Sequence, residues 1–214
     1  MTTSDLKHLL QSALASERPH LEKLTIAAAT VSEVLRQRGM TATLVGGGAI
    51  EFHASDVYTT SDIDLVVEGR SRDDLNVALT EFGFSRRGRH WVLGELLVEV
   101  PGNWMSDPTD VVAVGPLTLR VVRKEVVLAD RIIGFKHWRA TAYGAQAVAM
   151  LALFGSQIDE RLLVDRVSSE GAEDALILLR ELAASGKGVG ENELRNALDG
   201  LHPKPARLDG EKRR

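Results

Sequence analysis

The spacing of apolar residues changes several times along the chain, and each change marks an element. Apolar positions three and four apart run through "TTSDLKHLLQSALA" and "HLEKLTIAAATVSEVLRQRGM", which predicts two amphipathic helices. In the second, Leu21, Leu24, Ala28, Val31 and Leu35 form the stripe, and Gly39 supplies a stop. "TATLVGGG" then reads as a short strand running into glycines, and "AIEFHA" as a helix that starts at that turn. A polar loop leads to the strand "IDLVVEG". "SRDDLNVALTEFGF" returns to helical spacing, with a Ser or Asp cap and the stripe Leu75, Ala78, Leu79, Phe82. "HWVLGELLVEVPG" predicts a strand or hairpin turning at Gly94, and "DVVAVGPLTLRVV" a hairpin around Gly115 and Pro116.

From about residue 124 the strands stop. The chain then reads as consecutive helices, with "GENELRNALDGL" as a short last one. The expected fold class is α+β: a small mixed β-sheet with flanking helices, followed by a helical bundle. The expected divisions are 1–123, 124–200, and a flexible Pro- and charge-rich tail over 201–214. No internal repeat interrupts this order.

Composition narrows the class a little. Of 214 residues 44% are hydrophobic, enough for a sizeable core, and 30 acidic against 26 basic residues give a net charge of -4. That balance does not announce a nucleic-acid binder, although a local basic face is compatible with it. With no cysteine, disulfides and Cys-ligated zinc or iron–sulfur sites are excluded. The charged N-terminal stretch lacks the apolar run of a signal peptide, and no apolar run reaches membrane-spanning length, so no membrane partner is expected. A cytoplasmic protein is the default expectation.

The candidate chemistry lies in "TTSDIDLVVEG". Strand residues i and i+2 share a face roughly 6.5 to 7 Å apart, so Asp62 and Asp64 can converge while Ile63 points into the core. Two carboxylates that close repel unless a cation lies between them, and oxygen ligands favour Mg²⁺ or Mn²⁺ over zinc. The plain alternative is that Asp62 ends a loop and Asp64 hydrogen-bonds a neighbouring turn. Upstream, "LVGGGAIEFH" is strand, glycines, then helix, an order in which bare backbone N–H groups and a helix N-terminus can cradle phosphate.

Taken together, "LVGGGAIEFHASDVYTTSDIDLVV" resembles the signature of the DNA polymerase β-type nucleotidyltransferase superfamily, a Gly-Gly turn followed by a paired-acid strand. Within it the chain looks most like the AbiEii-like toxins and related small bacterial nucleotidyltransferases. A looser likeness extends over residues 40 to 180. The resemblance implies that Gly46 and Gly47 contact a nucleoside triphosphate, with Ser61 beside them, and that Asp62 and Asp64 are metal-binding catalytic acids. It also implies a third acid on an adjacent strand. Glu99 in "LLVEVPG" is the candidate, and Glu95 and Asp110, nearer turns, are weaker ones. Two departures stand out. Tyr58 occupies the place of an Arg common four residues before the first acid, while Thr60 is kept, and Gly48 replaces a larger residue.

The implied activity is metal-dependent transfer of a nucleoside monophosphate from a nucleoside triphosphate to an acceptor hydroxyl. The acceptor could be RNA such as a tRNA 3′ end, a protein or a small molecule. A toxin of this branch would have an antitoxin partner. The rival expectation is a catalytically degenerate binding or regulatory module.

Other residues have two readings each. Lys136 could hold phosphates, or with His137 and Arg139 form a solvated helix face. Asp130 and Arg131 read as a structural pair. Arg86, Arg87, Arg89 and His90 form a basic cluster that could meet RNA or simply keep a hairpin tip soluble. His53 reads as packed or capping, and Trp91, Trp104 and Trp138 as core or interface residues.

Overall fold

Two capping boxes set where helices begin in the first half of the chain. In the computed structural model, which describes residues 1–186 and 188–202, the Thr2 hydroxyl accepts from Asp5 N–H and starts α1 (Thr3–Leu14). Ser71 does the same with Asp74 at α4 (Arg72–Phe82). Each Asp side chain in turn accepts from the cap residue's own N–H, so both orphan donors are satisfied. Between these two helices α2 (His20–Arg36) ends before Gly39. That glycine closes the turn at φ +74°, and Met40 N–H donates to the Leu35 carbonyl.

The strands are β1 (Thr41–Leu44), β2 (Ile63–Glu68), β3 (Ser85–Arg87), β4 (His90–Leu93), β5 (Leu96–Gly102), β6 (Thr109–Val114) and β7 (Leu117–Val122). They form one sheet in the order β3-β4-β5-β2-β1-β7-β6. β2 runs parallel to β5, and β1 parallel to β7; the remaining neighbours are antiparallel. The fold is α+β, as the alternation of spacings predicts. β3 is an addition to the expected elements. Its three residues are all exposed, and its arginines lie on the edge of the sheet, where charge discourages pairing with another chain.

One face of the sheet is packed. Ile63 and Leu65 are fully buried and Val67 nearly so, while Asp64, Val66 and Glu68, the alternate residues, are half-buried. Trp91 and Val98, paired across β4 and β5, continue the buried row. Over this core lies α2, whose buried surface is wider than the predicted stripe. Ala27 to Ser32 are all buried, because α2 packs against α1, α4, β1 and β7 together. The small residues of "AAATVS" let these elements approach it on several sides. Among the three tryptophans Trp91 lies in the core, whereas Trp104 is 72% and Trp138 70% exposed.

α3 (Gly46–His53) begins at Gly46, earlier than the predicted start at Ala49, so the glycines form its first turn. The reason lies in the site described below.

The chain divides into two compact units, Met1–Val127 and Leu128–Arg214. α5 (Lys124–His137) crosses the boundary. The second unit continues with α6 (Thr141–Phe154), a short 3-10 turn, α7 (Glu160–Ser169), α8 (Glu173–Ala184) and α9 (Glu191–Leu201). α6 is apolar on most sides and packs against α8 and α9. Leu201 ends α9 and His202 caps it, so the helix runs into the first residues of the expected tail. Residues 203–214 of that tail lie outside the described ones. Among the described residues no helix is long and apolar enough to cross a membrane.

Candidate functional site

Strand register gathers the site. In the parallel pair β2–β5, Asp64 lies directly across from Glu99. In the antiparallel pair β4–β5, His90 lies across from the same Glu99. Asp64, Glu99 and His90 therefore form one row over three adjacent strands, on the face opposite Ile63, Val98 and Trp91. Just past this row the β2–β5 register shifts, between Asp64 and Val66. Such an irregularity re-aims side chains locally.

Asp62 sits just before β2 and joins the row by side-chain reach. Asp62, His90 and Glu99 each place a potential ligand atom within 4.8 Å of the others, and all three are half-buried. The Thr60 hydroxyl donates to Asp62 Oδ1 at 2.8 Å. Thr60 is buried and is itself held: its N–H donates to Glu51 Oε2 at 2.8 Å, and His20 Nε2 meets its carbonyl at 2.9 Å. Glu51, 3% exposed, comes from α3, so the glycine-led helix also anchors the loop that aims Asp62.

Asp64 is held differently. Val45 N–H donates to its carbonyl at 3.0 Å, and Gly47 N–H donates to its Oδ2 at 3.2 Å. A carboxylate at the N-terminus of α3 also meets the positive end of the helix dipole. The glycines follow from this. Gly46 has φ +57°, and a Cβ there would fall 2.2 Å from Asp64 Oδ2. A Cβ on Gly47 would fall 2.8 Å from the Thr60 hydroxyl and 3.0 Å from the Tyr58 ring. Tyr58 thus packs against the glycine turn. The early start of α3 follows too, because the Gly47 N–H in its first turn donates to the Asp64 carboxylate.

Glu99 carries two basic neighbours. Arg89 Nε lies 3.1 Å and His90 Nε2 3.3 Å from its Oε2. Beside Asp62 opens a cleft of about 490 Å³ lined by Leu14, Leu24, Leu93 and Leu96, with His20 and Lys23 at its polar side. Ser61, exposed, and Glu95, at the β4–β5 turn, also line it.

The structure thus brings together Gly46, Gly47, Ser61, Asp62, Asp64 and Glu99 within the first unit. Asp110 is exposed on β6, at the far edge of the sheet from β3. Lys136 belongs to the second unit, where its Nζ donates to the Gly171 carbonyl at 2.7 Å and to Asp174 Oδ1 at 2.6 Å. There His137 Nε2 meets the Glu170 carbonyl, and Arg139 pairs with Asp199. Asp130 meets Arg166, and the Arg131 guanidinium lies 4.4 Å from the centre of the Tyr143 ring. His53 is packed in the first unit. Burial lowers its pKa below the usual histidine value, against the opposing effect of its 2.7 Å contact with the Val122 carbonyl.

His90, Arg89, Glu51 and His20 are site residues that periodicity alone does not single out. His90 had a signal. A two-residue turn at Gly94 and Glu95 pairs Leu93 with Leu96, and counting back along that hairpin places His90 across from Glu99. Glu51 had none, since only the folded loop brings Thr60 to it.

The chain matches no protein-family model, no curated protein and no solved structure.

Proposed function

We propose that this chain is a metal-dependent nucleotidyltransferase that moves a nucleoside monophosphate from a nucleoside triphosphate to an acceptor hydroxyl. The observation that supports this most is the row on one sheet face: Asp64 across from Glu99, with Asp62 just upstream, beside a glycine turn that opens a helix. Asp62 and Glu99 bring carboxylate oxygens within 4.8 Å of each other, and Asp64 lies across the ladder from Glu99; such acids suit a hard divalent cation, which offsets their repulsion. Asp62, Asp64 and Glu99 would hold Mg²⁺ or Mn²⁺, which when bound would neutralise the triphosphate and the leaving pyrophosphate.

The protein's own groups divide the remaining tasks. Thr60 orients Asp62, and the α3 N-terminus orients Asp64. Glu99 accepts the proton of the acceptor hydroxyl as its oxygen bonds to the α-phosphorus and the bond to the β-phosphate breaks. The cleft next to Asp62, with apolar walls and Lys23 and His20 at its side, offers room for the acceptor or the nucleoside. Resemblance points to an RNA acceptor such as a tRNA 3′ end, to an antitoxin partner, and to work in the cytoplasm.

One observation favours the rival, a degenerate module that binds nucleotide or a partner without turnover. Gly47 N–H already donates to Asp64, and the space beside both glycines is filled by Asp64, Thr60 and Tyr58. Those glycines are therefore needed for packing whether or not phosphate binds.

The deciding experiment incubates the pure chain with each labelled nucleoside triphosphate, Mg²⁺ and total RNA. Transfer of label to RNA, reduced by several orders of magnitude in Asp64→Asn, is the expected result. Nucleotide binding without label on RNA, protein or small-molecule acceptors would favour the module. No nucleotide binding at all would sink the transferase and the nucleotide-binding module, and leave a module that binds a partner.

A further inference from the structure

Arg89 is a cation placed between two ligand atoms. Its Nε lies 3.1 Å from Glu99 Oε2 and donates to His90 Nε2 at 3.4 Å, while His90 Nε2 and Glu99 Oε2 are 3.3 Å apart. One guanidinium nitrogen thus lies within 3.4 Å of both ligand atoms, and its positive charge acts on the pair. The Arg89 side chain is 72% exposed, against 26% for His90 and 16% for Glu99. The ligand atoms are fixed in the sheet, and the cation that joins them comes from solvent.

We infer that Asp62, His90 and Glu99 form a binding site for a divalent transition-metal ion, Mn²⁺ or Zn²⁺ in preference to Mg²⁺, with the Arg89 guanidinium standing where that ion's charge acts. This deepens the reading above by adding a nitrogen ligand to two of its carboxylates, and it does not require that nucleotide be turned over. An imidazole nitrogen with two carboxylates suits borderline ions, whereas Mg²⁺ prefers oxygen ligands alone and keeps its waters. The outer contacts are those of a built site. Thr60 fixes one Asp62 oxygen, and the buried Glu51 fixes Thr60. A hydrogen-bonded carboxylate ligand is the usual arrangement around a bound metal. Three protein ligands also leave coordination positions open for water or a phosphate oxygen.

The geometry makes opposite demands of its two basic residues. His90 is a ligand, so His90→Gln should weaken Mn²⁺ binding by at least about tenfold, the lower end of what even outer-shell partners of a ligand cost. The same variant should narrow the preference for Mn²⁺ over Mg²⁺. Arg89 is a competitor, so Arg89→Gln should tighten Mn²⁺ binding, by about threefold or more, because one charge-assisted contact no longer has to be displaced. A misfolded variant cannot produce that gain.

The test uses the full chain stripped with a chelator and then loaded with Mn²⁺. Calorimetry supplies the affinities, with Mg²⁺ as competitor, and pulsed electron paramagnetic resonance supplies the ligand identity. Wild type is expected to show coupling from an imidazole ¹⁴N, absent in His90→Gln, with Asp62→Asn losing the ion. Bound Mn²⁺ without imidazole coupling, or coupling that persists in His90→Gln, would overturn the inference. So would failure of wild type to bind Mn²⁺, or weaker binding in Arg89→Gln. Nucleotide transfer is measured separately. Transfer with Mg²⁺ and no imidazole coupling would leave the proposed function standing and this inference lost, and coupling without transfer would do the reverse.

Discussion

The two units of the chain place their acids differently. Among the described residues of the second unit, Lys136 pairs with Asp174, Asp130 with Arg166, Arg139 with Asp199 and Arg180 with Glu160. These pairs link helix surfaces, and pairs of this kind contribute modestly to stability. In Met1–Val127 the sheet instead sets like charges side by side. Among the described residues, Asp62, His90 and Glu99 are the one group of three such side chains close enough to share an ion. Helical spacing also sets an acid where a base four residues away can meet it, as Arg161 meets Asp165 and Arg195 meets Glu191. A pleated ladder stacks whatever residues share a register, and it does so across strands distant in sequence. The acids that converge are therefore those that the sheet's register brings into line.

The strongest way to break that contrast is a pair of variants. Asp62→Asn combined with Asp64→Asn should abolish binding of Mn²⁺ while circular dichroism shows the fold intact, and any nucleotide transfer should fall by several orders of magnitude. Lys136→Met should leave cation binding at its wild-type value in the same calorimetric titration. A loss of nucleotide affinity in Lys136→Met would show that the helical unit shares in the chemistry.

Next come two overpacked glycines. A Cβ on Gly46 would meet Asp64, and one on Gly144 would fall 2.5 Å from the Phe135 ring. Gly46→Ala and Gly144→Ala should each destabilise by about 1 to 3 kcal/mol in denaturant titrations. Mn²⁺ affinity should fall only in Gly46→Ala. Equal loss in both would mean that ion binding reports general stability and nothing local.

Glu51→Ala comes third. It leaves the buried Thr60 N–H without its acceptor, at a cost of about 1 to 3 kcal/mol, and it loosens the loop that aims Asp62. Mn²⁺ affinity should drop although Glu51 is not itself in the cluster. Unchanged affinity would reduce Glu51 to a purely structural residue.

The smallest effect concerns pH. Because burial depresses the His53 pKa, the unfolded chain takes up a proton at His53 more readily than the folded one. His53 therefore contributes stability above the unfolded histidine value, about 6.5. That contribution declines as pH falls from there toward the depressed folded value. The stability difference between wild type and His53→Gln, measured by denaturant titration at each pH, should shrink as pH is lowered through this window. A pH-independent difference would contradict it.

Much of the first unit was legible because its signals are local. The α4 stripe of Leu75, Ala78, Leu79 and Phe82 is buried as its spacing predicts, and the hairpins turn at Gly94 and Gly115. The strand β2 alternates, with Ile63 and Leu65 inward and Asp64 on the other face, which is why Asp62 and Asp64 stand out from the sequence alone. The extent of burial around α2 did not show, because it depends on how many elements surround the helix and not on its own periodicity. The edge strand β3 escaped notice because three exposed residues carry no alternation.

The sequence by itself determined that this chain pairs an α/β half with a helical one, that it can use no thiolate, and that two aspartates flank the start of a strand behind a glycine turn. Only the tertiary structure decided what those residues face. Non-local pairing put β5 beside β2 and thereby Glu99 beside Asp64, and β4 beside β5 and thereby His90 across from Glu99. It also turned the Gly47 N–H of α3 toward Asp64 and set the buried Glu51 to accept from Thr60. Periodicity reports which face of its own element a residue takes. Which elements become neighbours is decided by burial summed over the whole core, and no short stretch of the chain contains that sum.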